Sequence, residues 1–194
     1  MRARPYDEWR ATVPRAERPR VTIEEKVQLL EDKRRIEELI AEYGFACDNQ
    51  GWDILDEIYD DDIEREIGGT LAEKVKGKHR LIELHRSPVL PRAAGIDTVK
   101  ADVNRFRNRE IRHLISTKVI RVSDDNQTAW AFAYYQMAVV GQDDAGWQRG
   151  EHEGTYIFTF SRKSGTWKFT RHLVWSNNAV NPMFAAPKAK GATA

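Results

Sequence analysis

The sequence predicts an α+β domain in which helices pack on one face of a curved, mainly antiparallel sheet. Helical periodicity comes first: a capping box at Thr22 and Glu25 begins an amphipathic helix over residues 22–47. Four segments with strand alternation follow later, separated by polar turns: 109–123, 128–141, 153–163 and 166–177. Helices followed by an antiparallel meander favour this fold class.

The elements between these two parts are shorter. Residues 52–59 carry apolar residues on one helical face, and residues 63–67 alternate as a strand. A turn then leads to residues 73–77, which pair as the second strand of a hairpin, and residues 78–86 form a short helix. Residues 87–108 have no clear period, so we expect a long loop, and such loops are often functional.

A chain of 194 residues most simply forms one domain. Three prolines among many charges predict an irregular N-terminal arm over residues 1–21. Residues 185–194 have no apolar anchor and are expected to form a flexible tail. The predicted α+β domain therefore spans residues 22–184.

Composition excludes several classes of partner. Lys and Arg total 31 against 30 Asp and Glu, so a net charge of +1 gives no reason to expect nucleic acid or an anionic membrane surface. The single cysteine, Cys47, cannot form an intrachain disulfide, which fits a reducing compartment. The chain has neither a signal-peptide pattern nor an apolar run of about 20 residues. We expect a cytoplasmic protein.

Motifs for metals and cofactors are missing from the sequence. None of the five histidines forms an HxH or HExxH pair, so no metal site is predicted. There is also no GxGxxG, GxxxxGK or GxSxG pattern, so no nucleotide cofactor or serine nucleophile is expected. What remains is acid–base chemistry built from scattered residues.

Asp48 is the first candidate for that chemistry. It lies where the first helix ends, and the helix dipole disfavours a carboxylate there unless a partner compensates it. Tyr43 precedes it by five residues, an offset that keeps both side chains loosely on one side of the helix. The alternative is that Asp48 is an ordinary solvated turn residue.

Two further polar residues fall on apolar strand faces. In a period-2 reading His113 shares a face with Ile111, Ile115 and Thr117, which predicts that it points inward. A core histidine with satisfied hydrogen bonds is the alternative to a catalytic one. Arg65 alternates with two isoleucines, so it is either buried and paired or placed at the rim and reaching outward.

Three motifs together resemble a known family. They are YxxxxDxxxWD at 43–53, RHxxSTxxI at 112–120 and GTYIFTFSRKSGTWKF at 154–169. Over about residues 25–178 the chain resembles the SnoaL-like, or polyketide cyclase-like, branch of the nuclear transport factor 2-like superfamily. The resemblance implies a cone-shaped half-barrel, with a strongly curved sheet against about three helices. It also implies a cofactor-free enzyme with an Asp and a His facing a deep cavity.

The resemblance also assigns roles to residues. The chain is similar to bile acid 7α-dehydratase and scytalone dehydratase, whose Asp and His correspond to Asp48 and His113. Tyr43 matches a tyrosine of the bile acid enzyme. A departure is the strand AFAYYQMAVVG, which offers neither a second His nor an Asp. Arg65 is expected to hold a substrate oxygen, and further substrate contacts are expected from three aromatic residues: Tyr135, Tyr156 and Trp175.

The sequence therefore predicts a cofactor-free lyase acting on a hydroxylated, aromatic small molecule by eliminating water, formaldehyde or both. The long loop, the N-terminal arm and the ending VWSNNAVNPMF are similar to lignin diarylpropane lyases. The alternatives are an isomerase or polyketide cyclase, or a non-catalytic ligand-binding or dioxygenase β-type subunit. Similar lyases are trimers and the sheet carries aromatic residues on both faces, so we expect a homotrimer.

Overall fold

A computed structural model describes residues 5–15, 17–67, 73–86, 107–143, 146–163 and 165–176. The helices in these ranges are α1 (Pro5–Thr12), α2 (Ile23–Asn49), α3 (Trp52–Ile58) and α4 (Lys78–Arg86). The strands are β1 (Tyr59–Ile67), β2 (Glu73–Lys76), β3 (Arg107–Val122), β4 (Thr128–Asp143), β5 (Gly146–Ser161) and β6 (Lys168–Ser176). No helix among them is long and apolar enough to cross a bilayer.

The six strands form one sheet in the order β2-β1-β6-β5-β4-β3. Strands β1 and β6 run parallel, and every other neighbouring pair is antiparallel. The sheet curls without closing, and α2 lies against its concave face and contacts the edge strand β3. The predicted α+β class, with a curved and mainly antiparallel sheet, is confirmed.

The core fills the space between α2 and the concave face. Ile36, Leu39 and Ile40 of α2 are fully buried against alternating residues of β4 and β5, such as Ala131 and Phe158. Burying an aliphatic side chain of this size contributes about 1.5–3 kcal/mol. The small alanines of β4 leave room for the aromatic rings of β5 on the same face, and this packing fixes the sheet against the helix.

Helix α2 begins and ends at defined caps. Thr22 accepts a hydrogen bond from the backbone N–H of Glu25, and the Glu25 carboxylate accepts one from the backbone N–H of Thr22, as the capping box predicted. At the other end Gln50 adopts a left-handed conformation with φ of 59°. The helix is thus two residues longer at its C-terminus than predicted, and Asp48 lies in its last turn.

The predicted irregular arm is wrong over residues 5–12, which form helix α1. Pro5 opens this helix, where its missing N–H would be unpaired in any case and its fixed φ is already helical. Glu8 of α1 pairs with Arg171 at 3.0 Å, and the Trp9 ring meets Phe132 edge-on at 5.8 Å. These contacts place α1 on the convex face of the sheet.

The segment after α1 is tied to the turn between β3 and β4. Arg20 is buried and donates hydrogen bonds to the carbonyls of Ser123 and Asp124 and to the Asn126 side chain. The Glu17 carboxylate accepts a hydrogen bond from the Val122 backbone N–H at 2.8 Å. These polar contacts link the start of α2 to the far end of the sheet.

Two predicted connections are shorter than expected. Residues 142–150 were predicted as a turn because they are polar, yet β4 continues to Asp143 and β5 begins at Gly146. Cross-strand pairing from Asp143↔Gly146 onward extends this hairpin, so polar composition alone was misleading. The predicted loop 87–108 ends earlier, because β3 begins at Arg107. Residues 87–106 and the predicted tail 185–194 lie outside the described residues.

Candidate active site

Asp48 and His113 lie 65 residues apart in the sequence and are joined by two hydrogen bonds. The His113 ring Nδ1 is 2.6 Å from Asp48 Oδ1, and the His113 backbone N–H donates to Asp48 Oδ2 at 2.8 Å. Both side chains are almost buried, with 8% and 9% of their surface exposed. A carboxylate near a helix C-terminus is disfavoured by the dipole, and here two donors compensate it.

The fold explains why these two residues meet. β3 is an edge strand of the sheet, so N–H groups on its outer side have no strand partner, and Asp48 at the end of α2 accepts one of them. Gly44 lets the helix approach closely, since a Cβ there would lie 3.4 Å from Ile115 Cδ1 and 3.6 Å from His113 Cβ. Helix α2 therefore sits directly on His113.

The hydrogen bonds of Asp48 define the tautomer of His113. An ionised carboxylate only accepts hydrogen bonds, so Nδ1 must carry the proton in this pair. The other ring nitrogen, Nε2, then holds a lone pair, and no residue in the described part of the chain forms a hydrogen bond with it. An oriented imidazole with one available nitrogen is the arrangement that a general base requires.

One part of the predicted strand face is wrong. Thr117 was expected to point inward with His113, but a bulge lies between Ser116 and Val119, and Thr117 has a left-handed φ of 50°. Thr117 is exposed, while Ile111 and Ile115 share the face of His113 as predicted. A bulge adds one residue to a strand and shifts the alternation beyond it, which a strict period of two does not describe.

Tyr43 lies at the centre of a cluster of aromatic rings inside the cone. It is 2% exposed, and its ring is 6.1 Å from the His113 ring and 5.0 Å from the His172 ring, both in edge contact. Burial raises the pKa of Tyr43 well above its ordinary value, so the hydroxyl stays protonated at neutral pH. Burial also raises the pKa of Cys47, and a hydrogen bond from Tyr43 lowers it by less, so the pKa of this thiol is about 12.

Tyr135 and Tyr156 belong to the same aromatic cluster. Their rings stack at 4.0 Å with an interplanar angle of 10°, and both are nearly buried. Burial raises the pKa of Tyr156 well above its ordinary value, while a hydrogen bond with Tyr43 acts in the opposite direction. The stacked pair offers a flat apolar face next to Tyr43.

Arg65 points into the fold, which decides between the two orientations that the sequence left open. It lies opposite His172 in the register of β1 and β6, and its Nε is buried without a hydrogen-bond partner. Within the described ranges no carboxylate forms an ion pair with its guanidinium. Burial lowers the pKa of Arg65, but Tyr43, Tyr59 and other acidic groups raise it by more, so the net shift is upward.

His172 is a polar residue within this aromatic cluster, and no sequence pattern marked it as a site residue. It is fully buried, and neither ring nitrogen has a hydrogen-bond partner among the described residues. Burial lowers the pKa of His172 well below 6.5, and the nearby Arg65 charge lowers it further. Strand alternation held a signal, because Val174, two residues later, is on the same buried face.

Trp175, a predicted substrate contact, is not placed with the other predicted site residues. It pairs with Thr155 across β5 and β6, whereas Tyr156 pairs with Val174. Directly opposed residues share a face and successive residues alternate, so Trp175 lies on the opposite face from Tyr156. The structure therefore brings together six of the seven predicted site residues: Asp48, His113, Tyr43, Arg65, Tyr135 and Tyr156.

A metal ion would need several His, Cys, Asp or Glu side chains around one point of the structure. In the parts of the chain that it describes, no three His, Cys, Asp or Glu side chains are placed to hold one ion. The described polar groups inside the cone are an Asp–His pair, phenols, a guanidinium and a second imidazole. Their chemistry is proton transfer and oxygen binding.

A curled sheet wrapped around a long helix, with polar groups inside the cone, defines the NTF2-like class of fold. The family model for the SnoaL-like domain matches residues 28–172. The chain belongs to the SnoaL-like domain family. No curated protein sequence matches it.

Solved structures share this fold at low sequence identity. The hexachlorocyclohexane dehydrochlorinase LinA-type3 from Novosphingobium barchaimii is 18% identical, with 85% of this chain and 95% of that chain covered and a TM-score of 0.59. An NTF2-like protein from Novosphingobium aromaticivorans is 20% identical, covering 79% and 86%, with a TM-score of 0.58. A protein from the same organism, provisionally assigned as a scytalone dehydratase, is 20% identical, covering 78% and 87%, with a TM-score of 0.56. These similarities show the fold alone.

Proposed function

We propose that the protein is a cofactor-free lyase that acts on a hydroxylated aromatic small molecule. The observation that carries this proposal is the hydrogen bond between Asp48 and His113 inside the cone, which leaves His113 Nε2 available as a base. The structural neighbours include a dehydrochlorinase and a protein assigned as a dehydratase, which supports elimination as the type of reaction. A passive carrier has no need of an oriented Asp–His pair.

In the proposed reaction Asp48 holds the His113 ring and stabilises the imidazolium that forms when Nε2 takes a proton. For loss of water, the proton comes from a carbon next to the carbinol, the electron pair forms a double bond, and the C–O bond breaks. The imidazolium then returns the proton to the leaving hydroxide. General acid–base catalysis of this kind contributes on the order of 10² to 10⁴-fold to the rate.

For loss of formaldehyde from a 1,3-diol, Nε2 of His113 takes the proton of the primary hydroxyl. The C–C bond then breaks, formaldehyde leaves, and the released electron pair forms the new double bond. The second hydroxyl takes the proton from the His113 imidazolium and departs as water, which returns His113 to its neutral form. Tyr43 would donate a hydrogen bond to the departing oxygen, and Arg65 would stabilise negative charge on oxygen. The stacked rings of Tyr135 and Tyr156 would hold the aromatic ring of the substrate.

The test is product formation from a panel of benzylic, 1,2-diaryl-1,3-propanediol and steroidal alcohols. Elimination creates a conjugated double bond, so new ultraviolet absorbance should accompany a mass loss of water or of water plus formaldehyde. An unchanged product mass with altered absorbance would instead assign an isomerase or a cyclase. Binding without any change in absorbance or mass would support the ligand-binding interpretation.

We also propose that the protein assembles as a homotrimer through the convex face of the sheet. Leu114 and Tyr134 on β3 and β4 share that face and are 60% and 51% exposed, and Val119 nearby is 37% exposed. Apolar patches of this kind are seldom left in water. Analytical ultracentrifugation tests the assembly, and a monomer at micromolar concentration would contradict it.

A further inference from the structure

Three buried polar groups inside the cone lack hydrogen-bond partners among the described residues. They are the Tyr59 hydroxyl, the Arg65 Nε and both ring nitrogens of His172, and Tyr59 and His172 are fully buried. Buried polar atoms in folded proteins nearly always have a partner, because an unpaired one has lost its water without replacement. Several such atoms in one place indicate a site that a ligand completes.

These groups lie in one region of the cone. Arg65 is the register neighbour of His172 across β1 and β6, and Tyr59 lies at the start of β1, opposite Phe169. The Phe169 ring is 5.9 Å from Tyr59, and Phe158 is 5.2 Å from Phe169 and 4.6 Å from His172. The Arg65 charge acts on both Tyr59 and His172, in each case lowering the pKa. The unpaired groups therefore converge around an aromatic wall.

The chemistry of the three groups defines what completes them. A guanidinium and a phenol at neutral pH donate hydrogen bonds, and a neutral imidazole adds one further donor. Such a set requires a ligand with several acceptor lone pairs. Among the described residues the groups that act on the Arg65 charge are phenols and a thiol, so a ligand that brings negative charge would suit this guanidinium. A carboxylate satisfies both conditions, and its two oxygens match the fork of an arginine.

We propose that Arg65, Tyr59 and His172 bind a carboxylate of the substrate, so that this chain acts on hydroxylated aromatic acids. The inference rests on the proposed lyase function, since it names the substrate class of the same site. His113 and His172 contact the same Tyr43 ring, at 6.1 Å and 5.0 Å between ring centroids. A carboxylate held at Arg65 therefore anchors one end of an aromatic molecule and directs the other toward His113.

The test is a binding measurement that needs no turnover. Isothermal titration calorimetry compares 3-phenylpropanoate with 3-phenylpropanamide, which has the same shape without the charge, and with 4-propylphenol, which presents a phenol oxygen instead. We expect the wild-type protein to bind the carboxylate about tenfold to 100-fold more tightly than the amide, which is the usual range for hydrogen bonds to a charged group. Equal binding of the carboxylate and the amide, or tighter binding of the phenol, would overturn the proposal. Water would then be the simplest partner for the unpaired groups of Arg65, Tyr59 and His172.

Arg65→Met removes the charge and keeps a side chain of similar length. It should reduce the preference for the carboxylate to less than about threefold, while Arg112→Gln, which changes an exposed arginine of β3, should leave it unchanged. Without ligand, Arg65→Met should melt no lower than wild type, because an unpaired buried charge does not stabilise a fold. A preference that survives in Arg65→Met would overturn the proposal.

If Arg65→Met does not fold, Tyr59→Phe allows the same binding measurement, because it removes only the Tyr59 hydroxyl group. This variant should weaken binding of the carboxylate and leave binding of the amide unchanged, whereas an equal loss for both ligands would contradict the assigned role. Failure of the lyase proposal is seen separately. If the protein prefers the carboxylate but forms no product from any alcohol, the lyase proposal is refuted and the carboxylate site stands. If it forms product but does not prefer the carboxylate, the carboxylate site is refuted and the lyase proposal stands.

Discussion

Replacing Asp48 with asparagine should reverse the tautomer of His113. In the wild-type protein both carboxylate oxygens accept, one from the His113 backbone N–H at 2.8 Å and one from ring Nδ1 at 2.6 Å. Asparagine can still accept from the backbone N–H with its oxygen, but its NH₂ group then faces Nδ1. A donor in that position favours the ring with the proton on Nε2, which removes the base from the cavity.

The structure gives the size of the effect. A hydrogen bond to a charged group contributes about 1.5–3 kcal/mol and a neutral one about 0.5–1.5 kcal/mol, so Asp48→Asn should lower the free energy of unfolding by about 1–2 kcal/mol. Turnover should fall on the order of 10² to 10⁴-fold, because the wrong tautomer cannot act as a base. Activity thus falls far more than stability does.

Long-range ¹H–¹⁵N spectra of protein labelled at histidine report which ring nitrogen carries the proton, and urea denaturation reports the free energy of unfolding. Asp53→Asn is the matched control, because Asp53 is an exposed acid at the start of α3. An unchanged His113 tautomer together with unchanged turnover in Asp48→Asn would refute the reasoning.

Three further predictions follow from other buried groups. His172 stays neutral in the folded protein because its pKa is lowered, whereas in the unfolded chain it takes up a proton below pH 6.5, so stability should fall as the pH drops below 6.5. Denaturation curves at pH 7.5 and 5.5 give the free energy of unfolding that each protein loses on acidification. This loss should be smaller in His172→Phe than in wild type by about 1.4 kcal/mol, and equal losses in the two proteins would contradict the prediction. Gly154→Ala should lower the melting temperature, because the new Cβ would meet the Trp175 carbonyl oxygen and lie 2.8 Å from Tyr135 Cε1; an unchanged melting temperature would show that the strands can separate there without cost. Cys47 is half-buried and its pKa is raised to about 12, so it should react with Ellman's reagent at pH 8 more slowly in the native protein than after unfolding, and equal rates would contradict the raised pKa.

Local signals in the sequence predicted much of the fold. The capping box of Thr22 and Glu25 is a short-range pattern, and α4 begins and ends where its pattern predicted. The placement of Asp48 beside His113 depended on resemblance to a family, since nothing in the spacing of two residues on different elements measures their separation. Arg65 could be assigned to a strand face from alternation, but only packing decides which face is buried.

The remaining differences come from long-range register and from backbone details. Trp175 looked like a cavity residue by composition, but its pairing with Thr155 places it on the outer face. His172 looked like an ordinary strand residue until pairing with β1 set it beside Arg65. The bulge at Thr117 changed the alternation of β3 within the strand. Each of these depends on which strand lies next to which, and that information is not local in the sequence.

The most direct test of the central proposal is the kcat/KM of His113→Gln on whichever substrate of the panel the wild-type protein converts. Glutamine keeps a polar side chain on β3 but cannot act as a general base at neutral pH. The proposed mechanism predicts a loss on the order of 100-fold or more, with the fold intact by circular dichroism. Turnover by His113→Gln equal to that of wild type would show that the Asp48–His113 pair does not carry out the reaction.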